Sequence, residues 1–487
     1  MKNTKVKIHS IKYNFLMNVI LKMSAFIFPL ITFPYVSRVL GAGPNGDISF
    51  ASSVVSYFSL IASLGIPSYG IRKCAEVRDN PQILSKTVQE LLFINIICTL
   101  ISYSVFIILL FTVKEFEEQK LLFIITSISI LFNTLGIDWF YQAIEQYDYI
   151  TVRNLIFKVL AVVLMFLFVH RPEDYVIYAG ITVIGSVGSN ILNIIKLGSY
   201  ISFRRFQQYY FTQHLKPIFI LFLYNATTTI FTNLDQVMLG FMTNSKEVGY
   251  YAATVKIKNI LVSVITALGS VMLPRVAYYL KKGNNEKFVY LIKKSFDFIL
   301  VTSIPIACYF IIESRAIILF LAGNGYEKSI FIMQCIAPSI IFIGLSSVTA
   351  WQILIPLKKE KYTVLGAIVG AVVNLAINFV LIPSMGGSGA AIATGIAELA
   401  VLITHLIVLR KNIYRMIDNK EAIIAILSGA CATFGLYAFN HLITINTPLI
   451  NCIITAVIYF GIYIIFILKL RESIVTDFVE NLKNKMR

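Results

Sequence analysis

The sequence predicts an all-α polytopic membrane protein with about 14 transmembrane helices, on three observations. Apolar residues make up 57% of the 487 positions and charged residues only 14%, against the roughly 25% with which a soluble domain covers its surface. Apolar runs long enough to cross a bilayer recur from end to end. The segments between those runs alternate between basic-rich and basic-poor. Mean hydropathy is +0.77. This composition excludes a disordered chain and an ordinary cytosolic enzyme. In this setting the net charge of +17 describes cytoplasmic loops, not a nucleic-acid partner.

Apolar runs bounded by charges or by Gly, Pro and Asn place the spans at 13–40, 48–70, 88–112, 120–137, 152–169, 175–197 and 215–241. Seven more follow at 249–274, 290–312, 329–354, 362–383, 387–409, 421–440 and 449–468. The first is too long for a signal-peptide core and lacks a small-residue cleavage site, so it counts as a span. Prolines 29 and 34 are expected to break it, and Pro67 and Pro274 fall near the inner ends of spans 2 and 8, where a moving bundle bends. No connection is long enough for a folded soluble domain. The longest outer stretch, 313–328, reads as a short amphipathic piece.

With the N-terminus inside, the inner segments collect 32 of the 42 basic residues and the outer ones seven. That asymmetry and an even number of spans predict both termini in the cytoplasm. The six cysteines (Cys74, Cys98, Cys308, Cys335, Cys431, Cys452) are scattered, without metal-ligand spacing, so no structural metal and no disulfide framework are expected.

The two halves echo each other. Arg38-Val-Leu-Gly41 closes span 1 and Val237-Met-Leu-Gly240 closes span 7; Gly46 and Gly249 open spans 2 and 8. Leu64-Gly65 matches Leu268-Gly269, Ser59 matches Ser263, and the two tryptophans, Trp139 and Trp351, fall at the inner ends of spans 4 and 10. These matches predict two six-helix repeats in parallel orientation, 1–210 and 211–412, with two further helices and a cytoplasmic tail in 413–487. A substrate cavity is expected where such repeats meet.

Polar stripes run along the matched spans. Span 2 carries Ser52, Ser56, Ser59 and Ser63 on one helical face. Span 7 carries Asn225, Thr228, Thr232 and Gln236; span 8 carries Lys256, Asn259, Ser263, Thr266 and Ser270; span 1 carries Asn14, Asn18 and Lys22. Close helix packing explains a lone serine stripe equally well, because small hydroxyl residues let backbones approach. Four stripes at matched positions favour a wet cavity.

An ionisable group at membrane depth costs at least ~2.5–3.5 kcal/mol, so it usually faces protein or water and marks a pathway. Lys22, Lys256 and Lys258 sit within spans, and Arg38 at the outer end of span 1 either joins them or reaches to the headgroups. Asp235 near the outer end of span 7 is a partner for Arg38 or Lys256, or a structural ion pair between repeats. Glu398, with His405 seven residues later on the same face of span 12, is a candidate proton or sodium site. The competing reading is a satisfied polar contact between spans 11 and 12 through Asn374 and Asn378. Asp138, Glu145, Asp148 and Asp297 fall near inner span ends and are read as touching the interface.

There is no phosphate-binding Gly-rich loop, nucleophile elbow, zinc-binding HExxH or exposed carboxylate pair. An enzyme has nowhere to work, and no cofactor is expected beyond a coupling H+ or Na+.

Four segments carry a family resemblance. Phe33-Pro-Tyr-Val-Ser-Arg-Val-Leu-Gly41 followed by Gly46 resembles the opening of bacterial polysaccharide repeat-unit flippases, the O-antigen and capsule transporters. Asp138-Trp-Phe-Tyr-Gln142 is similar to their segment after the fourth span. Phe231-Thr-Asn-Leu-Asp-Gln-Val-Met-Leu-Gly240 with Val248-Gly-Tyr-Tyr-Ala252, and Leu321-Ala-Gly-Asn-Gly-Tyr326, fit as well. The resemblance implies the multidrug/oligosaccharidyl-lipid/polysaccharide exporter superfamily: two six-helix lobes around a V-shaped central cavity, and alternating access. The implied cargo is an undecaprenyl-diphosphate-linked oligosaccharide, carried in a bacterial cell membrane. By location, Lys22, Arg38, Lys256 and Lys258 correspond to the family's cavity cations. Many members have twelve spans; the extra pair here resembles lipid II flippases.

The reading is a flippase in polysaccharide biosynthesis that works with lipid-linked oligosaccharide, membrane lipids and, as partners, a polysaccharide polymerase and glycosyltransferases. A lipid II or multidrug transporter of the same fold is the nearest alternative; a membrane glycan polymerase or scaffold is the one from another class.

Overall fold

The computed structural model describes residues 10–410, 416, 419–443, 445 and 447–470. Nine basic residues counted in the orientation argument (Lys2, Lys5, Lys7, Lys411, Arg415, Arg471, Lys483, Lys485 and Arg487) lie outside the described residues, as do the side chains of Lys12, Leu268 and Ser270. Every regular element among the described residues is helical. A chain crossing hydrocarbon must satisfy its backbone internally, and helices do this segment by segment. Among the described residues, fourteen helical stretches are long and apolar enough to span a membrane, and they coincide with the fourteen runs read from the sequence. Several outlast the apolar run: span 2 is Ala42–Val77, span 3 is Pro81–Thr112 and span 8 is Ser245–Lys281. Their polar ends carry the helix beyond the bilayer core.

Prolines do not break span 1. It is one helix, Ile11–Leu40, with Pro29 and Pro34 inside it. Each proline removes one backbone hydrogen bond, a loss that membrane helices tolerate. Span 8 likewise runs through Pro274. Among the described residues, span 6 is interrupted at Gly188–Asn190 and span 10 at Ala337–Pro338, while spans 2 and 4 are interrupted at branched residues. Span 2 breaks between Ser63 and Ile66, where Leu64 has φ 49°; span 4 breaks after Gly136, where Ile137 has φ 40°. A branched residue in the left-handed region is costly and persists only where its surroundings impose it.

The chain packs as two compact units, Met1–Gly249 and Tyr250–Arg487. The first takes in span 7 (Thr212–Met242), which the sequence repeat assigns to the second half. Span 7 packs along both parts of span 2, and Gly65 permits the contact, because a Cβ there would collide with the Ile218 carbonyl. The core of this unit gathers Ile66, Tyr69, Leu91, Trp139, Phe140, Tyr141 and Ile218. Near the same unit's other end, Gly46 and Gly249 touch each other's helix starts: a Cβ on Gly46 would meet the Ser245 carbonyl, and one on Gly249 the Ala42 carbonyl.

The connection from span 6 to span 7 is strapped to span 3. Gln89 Nε2 donates to the Ser202 carbonyl at 2.6 Å, Ser202 N–H donates to Ser85 Oγ at 3.0 Å, and Tyr209 O–H donates to Gln89 Oε1 at 2.7 Å. Beneath the strap lies a buried chain. Tyr210 N–H donates to Glu90 Oε1 at 2.6 Å, Glu90 Oε2 pairs with His214 Nε2 at 2.9 Å, and His214 Nδ1 meets the Tyr69 hydroxyl at 2.8 Å.

In the second unit, spans 11 and 12 form a close hairpin over Gly386 (φ 55°), and spans 13 and 14 pack on span 9. Span 10 ends in a wide π-helical turn, Val348–Leu354, on which Trp351 is 51% exposed. The amphipathic piece expected after span 9 is the helix Ser314–Leu321, which buries Ala316, Ile317 and Ile318. Glu313 ahead of it is 3% exposed and accepts from Asn440 Nδ2 (2.6 Å) and Asn451 Nδ2 (3.1 Å), one amide from each of the last two spans. Burial pushes its carboxyl pKa up, against the pull of those two amides.

Candidate functional site

The first unit holds a cavity of about 750 Å³ between spans 2, 4, 6 and 7. Helical spacing makes its walls. Ser52, Ser56, Ser59 and Ser63 descend one face of span 2; Thr126, Ser129 and Asn133 do so on span 4, and Thr182, Ser186 and Asn190 on span 6. Asn225, Thr228 and Thr229 close the fourth side from span 7.

A polar wall within a membrane must be hydrogen-bonded, and here the helices supply the partners themselves. Ser56 donates to the Ser53 carbonyl (2.6 Å), Ser129 to Thr126 (2.7 Å), Thr182 to Ala179 (2.7 Å) and Thr228 to Asn225 (2.9 Å). Each hydroxyl spends its proton on its own backbone and keeps oxygen lone pairs for a visitor; a small rotation makes it a donor. The surface is therefore adaptable toward ligands that are themselves hydroxyl-rich.

The left-handed turn at Ile137 swings the short helix Asp138–Ala143 into one end of the cavity, bringing Asp138, Trp139 and Gln142 to its wall. Asp138 Oδ1 accepts from Arg153 Nη2 at 2.6 Å and from Asn193 Nδ2 at 2.8 Å. Both donors fall on one oxygen, so Oδ2 has no partner among the described residues. The Arg153 guanidinium is buried and also donates to the Ser189 carbonyl at 3.1 Å. A buried charge needs such pairing, and it leaves the cavity end close to neutral. Trp139 packs against Gly70, where a Cβ would strike its ring.

Of the residues singled out in the sequence, Ser52, Ser56, Ser59, Asn225 and Thr228 line this cavity. Thr232, a turn beyond Thr228, donates to the Thr228 carbonyl at 3.0 Å and lies outside the lining. No lysine or arginine lines the cavity among the described residues. Lys22 is exposed on span 1 with Asn18 half-buried, and Arg38 bends back to the Pro34 carbonyl at 2.6 Å. Asp235 is buried on span 7. On span 8, Lys256 and Ser263 are half-buried, Lys258 is buried and Asn259 is exposed.

His405 is buried, with Nδ1 2.9 Å from the Thr349 hydroxyl of span 10, while Glu398 is half-buried. Asn378 donates to Asn374 at 3.1 Å within span 11. Two acids placed at the interface by the sequence are engaged in protein instead: Asp138 with Arg153, and Glu145 with Arg78 (2.6 Å) and Asn14 (3.2 Å). Asp297 is 2% exposed. The stripes of spans 4 and 6 escaped the sequence reading, although their spacing carries the same helical signal as span 2.

Comparison with known proteins agrees with this architecture. The family described as "Polysaccharide biosynthesis protein" matches residues 11–280. A putative O-antigen transporter of Escherichia coli K12 is 22% identical over 407 residues, covering 83% of this chain and 97% of its own. Among solved structures, the lipid II flippase MurJ in an inward closed conformation superposes with a TM-score of 0.74 at 18% identity, covering 95% of this chain and all of its own. An inward-facing multidrug transporter of the MATE family, in the MOP superfamily, gives 0.60 at 12% identity, covering 82% and 98%. The chain is thus a multi-pass membrane protein of the polysaccharide biosynthesis protein family, with the fold seen in the MurJ and MATE structures.

Proposed function

We propose that this protein is a flippase, not an enzyme, and moves an undecaprenyl-diphosphate-linked oligosaccharide repeat unit from the inner to the outer leaflet by alternating access. The observation that carries the reading is the cavity of about 750 Å³ walled by hydroxyl and amide groups at membrane depth. Such a surface offers hydrogen-bond partners to sugar hydroxyls. The name of the Escherichia coli relative, a putative O-antigen transporter, points the same way. The positive-inside asymmetry supports a cell-membrane orientation with both termini in the cytoplasm. In this reading Lys22, Arg38, Lys256 and Lys258 attract the diphosphate, the prenyl tail stays in lipid, and Glu398 with His405 couples transport to H+ or Na+.

A lipid II cargo is the second reading, supported by the coverage of this chain, extra helices included, by the MurJ structure. The test is translocation by the purified protein in vesicles, offered either lipid-linked oligosaccharide or lipid II, with and without an ion gradient. Ser56→Leu and Thr228→Leu, which fill the cavity with hydrocarbon, should each cut oligosaccharide translocation at least roughly tenfold at normal membrane levels. Undiminished translocation in both would remove the cavity from the pathway.

A further inference from the structure

A second cavity, of about 520 Å³, opens where span 3 begins and the chain after span 6 passes over it. Its chemistry differs from that of the first. Lys86 from span 3 and Arg204 and Arg205 from the connection converge on it, accompanied by the amides of Gln82, Gln207 and Gln208, and no carboxylate lines it. Like charges gathered this way repel one another unless something opposite stands between them. Protein does not provide it: among the described residues, no ion pair involves any of these three side chains. The nearby acid, Glu90, is occupied by the Tyr210 N–H and His214.

The backbone that carries the arginines is also fixed before any ligand arrives. Gln89 Nε2 donates to the carbonyls of Ser202 (2.6 Å) and Arg204 (3.2 Å), and Ser202 N–H donates to Ser85 Oγ (3.0 Å), so the backbone bearing both arginines is tied to span 3. Lys86 Nζ sits 4.2 Å from the centre of the Tyr210 ring, a cation–π contact that steadies it. The two guanidinium groups are exposed and offer planar forks that match phosphate oxygens two at a time. The backbone share of the ordering cost, which usually erodes affinity on a loop, is thereby reduced.

We propose that this pocket binds a phosphate group on an anionic ligand, at a site separate from the hydroxyl-lined cavity. Its place at the end of a span suits the phosphate of a lipid headgroup, and its openness admits a soluble phosphate ester; the recognising chemistry is the same. The experiment uses the full chain. In detergent, calorimetric titration with pyrophosphate is compared for wild type, the Arg204→Ala/Arg205→Ala double variant and Lys86→Ala. In nanodiscs of phosphatidylcholine with about one fifth phosphatidylglycerol, native mass spectrometry counts retained anionic lipid in the same proteins.

Wild type should bind in at least one arm, and the double variant should lose roughly tenfold or more there, with Lys86→Ala intermediate. Pyrophosphate binding that phosphatidylglycerol leaves unchanged identifies a soluble ligand. Selective lipid retention, or lipid that displaces pyrophosphate, identifies a headgroup. Equal behaviour of wild type and double variant in both arms, or no binding in either, overturns the proposal. Unaltered melting of the unliganded variants, expected for exposed side chains, checks that lost binding reflects the site and not the fold.

Discussion

Glu90 and His214 illustrate how much can rest on single side chains at the edge of a membrane. Both are almost fully buried, and each is the other's partner. Glu90→Ala would strand a histidine nitrogen and the Tyr210 N–H without an acceptor, a loss of roughly 2–4 kcal/mol. The expected outcome is an unfolding midpoint in detergent well below wild type, whereas Glu90→Gln, which keeps an acceptor for Tyr210, should fall between. Asp138 poses the opposite case, because its partner is the one hidden. Asp138→Asn leaves Arg153 buried without a counter-charge, so it should destabilise the protein, while Asp138→Asn/Arg153→Met should recover stability in the same unfolding measurement. Translocation by the recovered double variant, in the assay of the proposed function, then tests the carboxylate at the cavity wall. None of these pairings is legible in the sequence: Glu90 and His214 stand 124 positions apart, and no periodicity links them.

Among the elements, helix ends and interruptions decide the geometry. The spans themselves are legible because hydrocarbon imposes a length and an apolar composition on each. Their interruptions are not, because Leu64 and Ile137 are ordinary helix residues held in the left-handed region by what surrounds them. Pro29 and Pro34 misled in the other direction, since a helix inside a bilayer tolerates a lost hydrogen bond, whereas Pro67 does stand in the first turn after the break in span 2. Gly46 and Gly249 were recognisable as matched positions but not as neighbours. Replacing either with leucine should force the two helix starts apart, and reduced membrane accumulation or a lower melting point would show it.

Glu313 fastens both final spans to the end of span 9, and its raised pKa has a sign that can be checked. A carboxyl whose folded pKa lies above the unfolded value adds stability that is full below the unfolded pKa, about 4.5, and lost as pH rises through the folded one. Melting of the wild type should therefore decline as pH rises above about 4.5, and Glu313→Gln should flatten that part of the profile. An unchanged slope in the variant would assign the pH dependence elsewhere.

At the level of the whole molecule, fourteen candidate spans among the described residues were readable because the bilayer reduces the folding problem to lengths, loops and signs of charge. The position of the cavity was half readable. The serine stripe of span 2 and the polar face of span 7 pointed to it, but which stripes converge depends on tertiary packing, and the first unit brings spans 4 and 6 to the same space. The lysines that drew attention for their depth stand outside that lining. Depth in a span measures the expense of a charge, not the direction in which it points.

The two tryptophans have a practical consequence. Trp139 is 4% exposed in the cavity wall of the first unit, and Trp351 is 51% exposed in the second. The sequence thus contains one tryptophan per unit, in contrasting surroundings, as a reporter that needs no attached dye. In a Trp351→Phe background the remaining emission should be blue-shifted, shielded from iodide and, on the proposed function, perturbed by lipid-linked oligosaccharide; in a Trp139→Phe background it should be more open to iodide and unmoved by that ligand. Recording both during turnover would follow the two halves separately, in real time and in the same membrane.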